Sequence, residues 1–261
     1  MTVKTYHEPV LRLSWQLLNG MKPACGRIKD VMSKHLFVFL IGITLVGLTA
    51  CAAATPLPLP ADLVVTSPRG DQRVIAFLYR DERGARLVNS LSIARDPPAP
   101  LDPLDRQVWL GDLELPTDLS LVKVAGVQYG LVVAQGDWLP EGQYGPDGLW
   151  SRALASPRLS PFAPAIVDLA TLLATDRYES QIVQVRAALL TNGDTHLLVE
   201  EIGPGGVPAA SARQIKVSFG EPDPAALAHL RTSGSIQFGY VEVIGRWRQG
   251  RLESLLLTPL P

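Results

Sequence analysis

His196 and His229 are the two imidazoles that follow residue 51, and with the carboxylates they set what chemistry the chain is equipped for. A zinc site takes three or four ligands, usually His or Cys. Neither histidine has a cysteine or a second histidine at ligand spacing, so no metal is expected. Serine-hydrolase chemistry of the Gly-x-Ser-x-Gly kind is not encoded, because that elbow does not occur. Glu200 and Glu201 are adjacent; on a strand they face opposite ways, which is wrong for a shared acid–base task. Gly203-Pro204-Gly205-Gly206-Val207-Pro208 lacks the Lys-Ser/Thr pair that grips a nucleotide phosphate. A wide turn accounts for its glycines and prolines. These residues predict no cofactor and no catalytic activity. A hydrolase of envelope polymers using His196 or His229 is the remaining enzymatic reading.

The two cysteines, Cys25 and Cys51, carry a different chemistry. Residues 36–50 form an apolar run of 15 residues behind Lys22, Arg27, Lys29 and Lys34. That is the length of a signal-peptide core and is short of the ~20 residues a bilayer span needs. The run closes on Leu48-Thr49-Ala50-Cys51, which resembles a bacterial lipobox. The resemblance implies cleavage before Cys51 and a thioether-linked diacylglycerol on its sulfur. Two acyl chains suffice for stable anchoring, where one does not. An uncleaved anchor is the alternative, since Ala52-Ala53-Ala54 extends the span to 19 residues. Either way the basic flank stays inside and the rest of the chain lies outside the cytoplasm. Met21 and Met32 offer later starts, so residues 1–31 are left out of the fold reading.

The expected organisation is a signal peptide over residues 1–50 and a lipidated cysteine with a proline-rich, semi-rigid tether over 51–61. The first 50 residues hold 6 of the 24 Lys+Arg and 2 of the 25 Asp+Glu, leaving a net charge of about −5 beyond them. That argues against a binder of double-stranded nucleic acid, which needs clustered positive charge. Beyond Cys51 there is no thiol for a disulfide, so stability must come from an apolar core. The expected partners are the membrane, through the anchor, and an envelope protein or polymer.

The chain also repeats itself. Gly130-Leu131-Val132-Val133-Ala134-Gln135-Gly136-Asp137-Trp138 matches Gly239-Tyr240-Val241-Glu242-Val243-Ile244-Gly245-Arg246-Trp247. Arg106-Gln107-Val108-Trp109-Leu110 matches Arg213-Gln214-Ile215-Lys216-Val217, and Arg73-Val74-Ile75-Ala76-Phe77 parallels Gln181-Ile182-Val183-Gln184-Val185. Ordered blocks at near-constant offset predict two copies of one domain, 62–160 and 176–261, joined by a linker over 161–175 with a short helix at 168–175.

In the second copy, alternation predicts strands at 180–190, 195–202, 213–219, 236–247 and 252–257. Asp223-Pro224 opens a helix ending near Gly234. The first copy reads as strands at 73–80, 85–93, 106–113, 129–138 and 149–155, with a helix after Thr117. The order β-β-β-α-β-β resembles the OB-fold, so the expected fold is mainly β, with two tandem five-stranded OB-like barrels. The resemblance implies that Gly136 and Gly245 sit where a long strand coils sharply.

Trp138 and Trp247 share a strand face with small apolar residues. They read as structural repeat residues, with an aromatic platform as the alternative. The opposite face offers Tyr240, Glu242 and Arg246, and the long loop at 139–148 offers Tyr144. Trp109 is the candidate for stacking on an oligosaccharide or single-stranded nucleic acid, its counterpart being Lys216. These five form the expected binding surface.

Overall fold

Period-two alternation builds both halves. In β1 (Gly70–Asp81), Val74, Ala76 and Leu78 enter one core while Ile75, Phe77 and Tyr79 face the other way into a second. The computed structural model describes residues 56–261. The lipobox, Cys51 and the apolar run lie outside the described residues.

A short helix, α1 (Pro60–Thr66), leads into β1, which turns into β2 (Gly84–Val88). Two short strands follow, β3 (Leu91–Ser92) and β4 (Ala99–Pro100). Next come β5 (Val108–Gly111), β6 (Val122–Val124), β7 (Val127–Trp138), β8 (Leu154–Pro161) and β9 (Ala165–Ile166). Helix α2 (Leu169–Ala174), capped by Asp168, joins the copies. The second copy runs β10 (Ile182–Asn192), β11 (Thr195–Val199), β12 (Gln214–Phe219), α3 (Pro224–Leu227), β13 (Arg231–Ser233), β14 (Ile236–Arg248) and β15 (Arg251–Pro259).

The second copy is a closed five-stranded barrel. Its strands run β12-β11-β10-β14-β15, and β15 returns to β12 in parallel. The first copy repeats that order as a curled sheet, β5-β2-β1-β7-β8. Its closure is a single parallel bridge, Trp109 to Ala153. Both are OB-like, and the chain is mainly β as the sequence implies.

The repeat is visible residue by residue. Trp138 pairs across to Leu154 and Trp247 to Leu252, and both indoles are buried. The ladder shifts register beside each glycine, at Gly136 and Gly245, where the partner strand β8 or β15 carries an extra residue as a bulge. An added Cβ would lie 2.5 Å from the Ala155 carbonyl oxygen at Gly136 and 2.6 Å from that of Glu253 at Gly245. Close passage of two backbones is what the glycines permit.

Several expectations need correction. The first repeat block is displaced by three residues: Val74 pairs with Ala134 as Val185 pairs with Val243, so Val74-x-Ala76-x-Leu78 corresponds to Val185-x-Ala187-x-Leu189. No helix follows Thr117; a turn closes there from the Leu119 N–H to the Pro116 carbonyl. Asp118, Ser120 and Thr117 are weak helix formers, whereas α3 has Pro224-Ala225-Ala226-Leu227 behind the Asp223 cap. Helix α3 ends at Leu227 rather than near Gly234, because Arg231–Ser233 pairs with β14. The last strand of the first copy spans Leu154–Pro161, later than 149–155. The strand at 85–93 divides, since the Asn89 and Ser90 amides turn away to the Asp102 carboxylate.

The expected tether also ends early. Leu59 and Pro60 are buried, and the Ile75 N–H donates to the Pro58 carbonyl, so the segment docks on β1. Leu57 and Leu59 alternate with prolines and pack on the Ile75/Phe77 side.

The two copies share more than the linker. The β3–β4 hairpin belongs to the first copy but extends the second copy's sheet, with Leu91 pairing in parallel with Leu256. Ile75, Phe77, Tyr79, Val88 and Leu91 form one core with Ile182, Leu255 and Leu256. The buried Ser92 hydroxyl donates to the Asp223 cap at 2.9 Å. Arg106 meets Glu221 at 3.2 Å. The described residues thus make one compact unit.

Candidate binding groove

The outer face of the first three strands differs between the copies. In the first, Tyr79, Arg86 and Trp109 lie side by side on β1, β2 and β5. Arg86 is buried and holds Asp81 through two 2.8 Å hydrogen bonds. Its guanidinium lies 4.6 Å from the Tyr79 ring centre and 5.6 Å from that of Trp150. Trp150, fully buried, stacks on Trp109 at 4.5 Å. It arrives on the long loop after β7, which folds back through a bridge between Tyr144 and Trp150. Gly145 has φ +73°, and a Cβ there would lie 2.4 Å from the Trp150 ring. The loop therefore roofs this face with the chain's own residues.

In the second copy the same row reads Leu190, Leu197 and Lys216. The Leu190 end is covered by its own loop, where Gly206 packs against Phe238. The Lys216 end is open. β12 pairs with β11 only up to Lys216 and from there runs beside β15. The divergence leaves a groove of about 530 Å³ lined by Asp194, Thr195, His196, Lys216, Phe219 and Arg251, among others. The β14–β15 connection, Gln249-Gly250, is too short to cover it.

Lys216 and Arg251 are exposed and in register on neighbouring parallel strands. Like charges so placed repel. Among the described residues, neither has a carboxylate within 4.0 Å. The lining is also aromatic: the His196 and Phe219 rings meet edge to face at 4.8 Å, and Phe219 packs against the barrel core. Burial lowers the His196 pKa, against the opposing charge of Asp194, so the site disfavours protonation of the ring. Its Nδ1 lies 2.9 Å from the Thr191 hydroxyl, which is itself buried between the strands. His229 is exposed at the end of α3. Among the described residues, no three of His, Cys, Asp and Glu converge as a metal site.

The sequence-predicted surface is not brought together. Trp109 is half-buried under Trp150, and the Tyr144 hydroxyl donates to its own loop's Pro140 carbonyl at 2.7 Å. Glu242 pairs with Arg186. Arg246 is enclosed between Asp62 of α1 and Glu253 of β15, so it ties the copies together. Burial works against its charge, but the hydrogen bonds it donates to those two carboxylates outweigh it and raise its pKa. Tyr240 alone of the five is an exposed ring on an open face. Trp138 and Trp247 lie in the two cores rather than on a platform. Sequence reasoning missed Arg251 and Phe219; their signal was the position of Arg251 directly after the Gln249-Gly250 turn, on the strand that follows the second Trp. Comparison with protein-family models, curated proteins and solved structures found no match for the chain.

Proposed function

We propose that the chain is a lipid-anchored, extracytoplasmic binding and assembly module without catalytic activity, and that the second barrel carries its contact. One observation supports this most: of two equivalent faces, the first is roofed by the chain itself and the second is open at its Lys216 end, where two uncompensated cations share a groove with His196 and Phe219. Fold does not give function, so the groove and not the barrel is the basis. The anchor follows from the lipobox resemblance at Cys51.

Crosslinking on intact cells tests it. The expected result is one discrete envelope partner, lost both in Cys51→Ala and in the Lys216→Glu, Arg251→Glu double variant. Capture that persists in the double variant refutes the groove.

A second reading has its own support. The groove lies on the second and third strands beside the turn connecting the fourth and fifth, where OB-folds take oligosaccharides or single strands. Binding of a neutral glycan, insensitive to salt, would favour it; steep loss with salt would favour a single strand.

A further inference from the structure

We propose that the groove of the second barrel takes an acidic segment of polypeptide, with carboxylates on Lys216 and Arg251. This rests on the binding-module reading above and names its ligand class.

The first barrel shows what occupies this face when something does. There it is polypeptide: the bridged Tyr144–Trp150 turn delivers Gly145 and the Trp150 ring onto Trp109 and Arg86. The turn is held largely by its own backbone, through the Tyr144 N–H to the Trp150 carbonyl at 2.8 Å and the return bond at 3.2 Å. A loop of protein is thus a shape this strand arrangement accepts.

The two copies then differ at the contact positions. Trp109 and Ala153 bridge in parallel in the first copy; Lys216 and Arg251 pair in the same way in the second. A ring that receives another ring is replaced by a cation, and a methyl by a second cation. Aromatic stacking has been exchanged for charge. The repulsion between two cations on adjacent strands is relieved by an anion placed between them. In an extended ligand the side chains on one face recur every ~6.6 Å, which lets two acids meet the two cations. Arginine supplies a planar fork for one carboxylate and lysine a mobile point charge for the other.

The rest of the lining fits the same ligand. Phe219, which also packs against the barrel core, and His196 add an aromatic part of the lining beside the cations, where an apolar side chain of the ligand fits. Asp194 sits at the rim as the groove's one acid, so a basic segment would face two cations to one anion. The volume of about 530 Å³ lies within the range of ligand sites and exceeds what a single ion needs.

The experiment uses the full chain, solubilised in detergent, and fluorescence anisotropy of labelled ten-residue peptides. (Ala-Glu)5 is expected to bind, and (Ala-Lys)5 is not. Lys216→Glu and Arg251→Glu are each expected to weaken (Ala-Glu)5 at least tenfold, whereas Lys216→Arg retains it. Both positions are exposed on strand surfaces, and circular dichroism checks that the variants stay folded. Equal affinity for (Ala-Glu)5 in wild type and double variant overturns the proposal, as does no binding. An oligogalacturonate is run in parallel. Charge-dependent binding of that glycan without the peptide sinks the polypeptide assignment and leaves the binding module standing. Failure of both ligands, together with no groove-dependent crosslink on cells, sinks both.

Discussion

Gly245→Ala tests the physical basis of the duplicated fold. The alanine Cβ would lie 2.6 Å from the Glu253 carbonyl oxygen and 3.0 Å from Leu252 Cγ. Comfortable contact begins near ~3.5 Å, so β14 and β15 must separate by roughly an ångström at the bulge. The obstacle is a backbone oxygen, which cannot rotate aside. Overpacking of this kind costs about 1–3 kcal/mol. Loss of unfolded-chain freedom returns ~0.4–1 kcal/mol for Gly→Ala. The net, about 0–2.6 kcal/mol, corresponds to a fall in Tm of up to about 10 °C for a unit of this size. Gly136→Ala meets the Ala155 oxygen at 2.5 Å and is expected to behave alike. Gly220→Ala is the control, because nothing lies within 4 Å and its backbone is not left-handed. Thermal melts by circular dichroism and urea titrations read the difference. Gly245→Ala melting together with Gly220→Ala would refute the close-passage argument.

Leu91→Ala removes a fully buried side chain from the core shared by the copies. It is expected to cost about 2–5 kcal/mol and to split one unfolding transition into two, as calorimetry would show. Arg246→Ala leaves Asp62 and Glu253 without their shared partner. About 1–2 kcal/mol is expected, since both carboxylates are partly solvated, with faster amide exchange confined to α1; unchanged exchange there would contradict the clamp. Trp150→Ala is expected to destabilise by about 3–5 kcal/mol, read as a lower urea midpoint; a loss below ~1 kcal/mol would mean the roof does not pack. Burial lowers the folded-state pKa of His196. The unfolded chain therefore binds its proton first once pH falls below about 6.5, and stability declines from there toward the folded value. Urea midpoints at pH 7 and pH 5.5 should converge in His196→Gln relative to wild type.

Strand order was legible because it rests on local patterns. Alternation located β1, β10, β7 and β14, and Asp223-Pro224 marked the start of α3. The Gly-x-Trp endings placed both bulges, since a glycine two residues before a buried indole repeats at each. What failed depended on contacts distant in sequence. Asn89 and Ser90 leave the strand only because Asp102 lies opposite, and that carboxylate's four hydrogen bonds are not readable from residues 85–93. Glu242 and Arg246 read as free surface because their partners Arg186, Asp62 and Glu253 come from other elements. The groove was invisible for the same reason: it exists because β12 changes partners at Lys216, and a strand's change of neighbour leaves no trace in its own sequence.

The β3–β4 hairpin has a consequence for how the chain comes to be folded. Its seat is Leu256, on the last strand described, which also closes the second barrel against β12 and β14. During synthesis, every other described strand emerges before that seat exists. Until then the core around Leu91, Phe77 and Ile75 lacks its Leu255 and Leu256 side, an apolar face that invites a wrong companion. The first copy thus has to wait for the second. A chain interrupted shortly before Arg251 would leave both copies unfinished at once, so completion of the final strand acts as a single checkpoint for the whole unit.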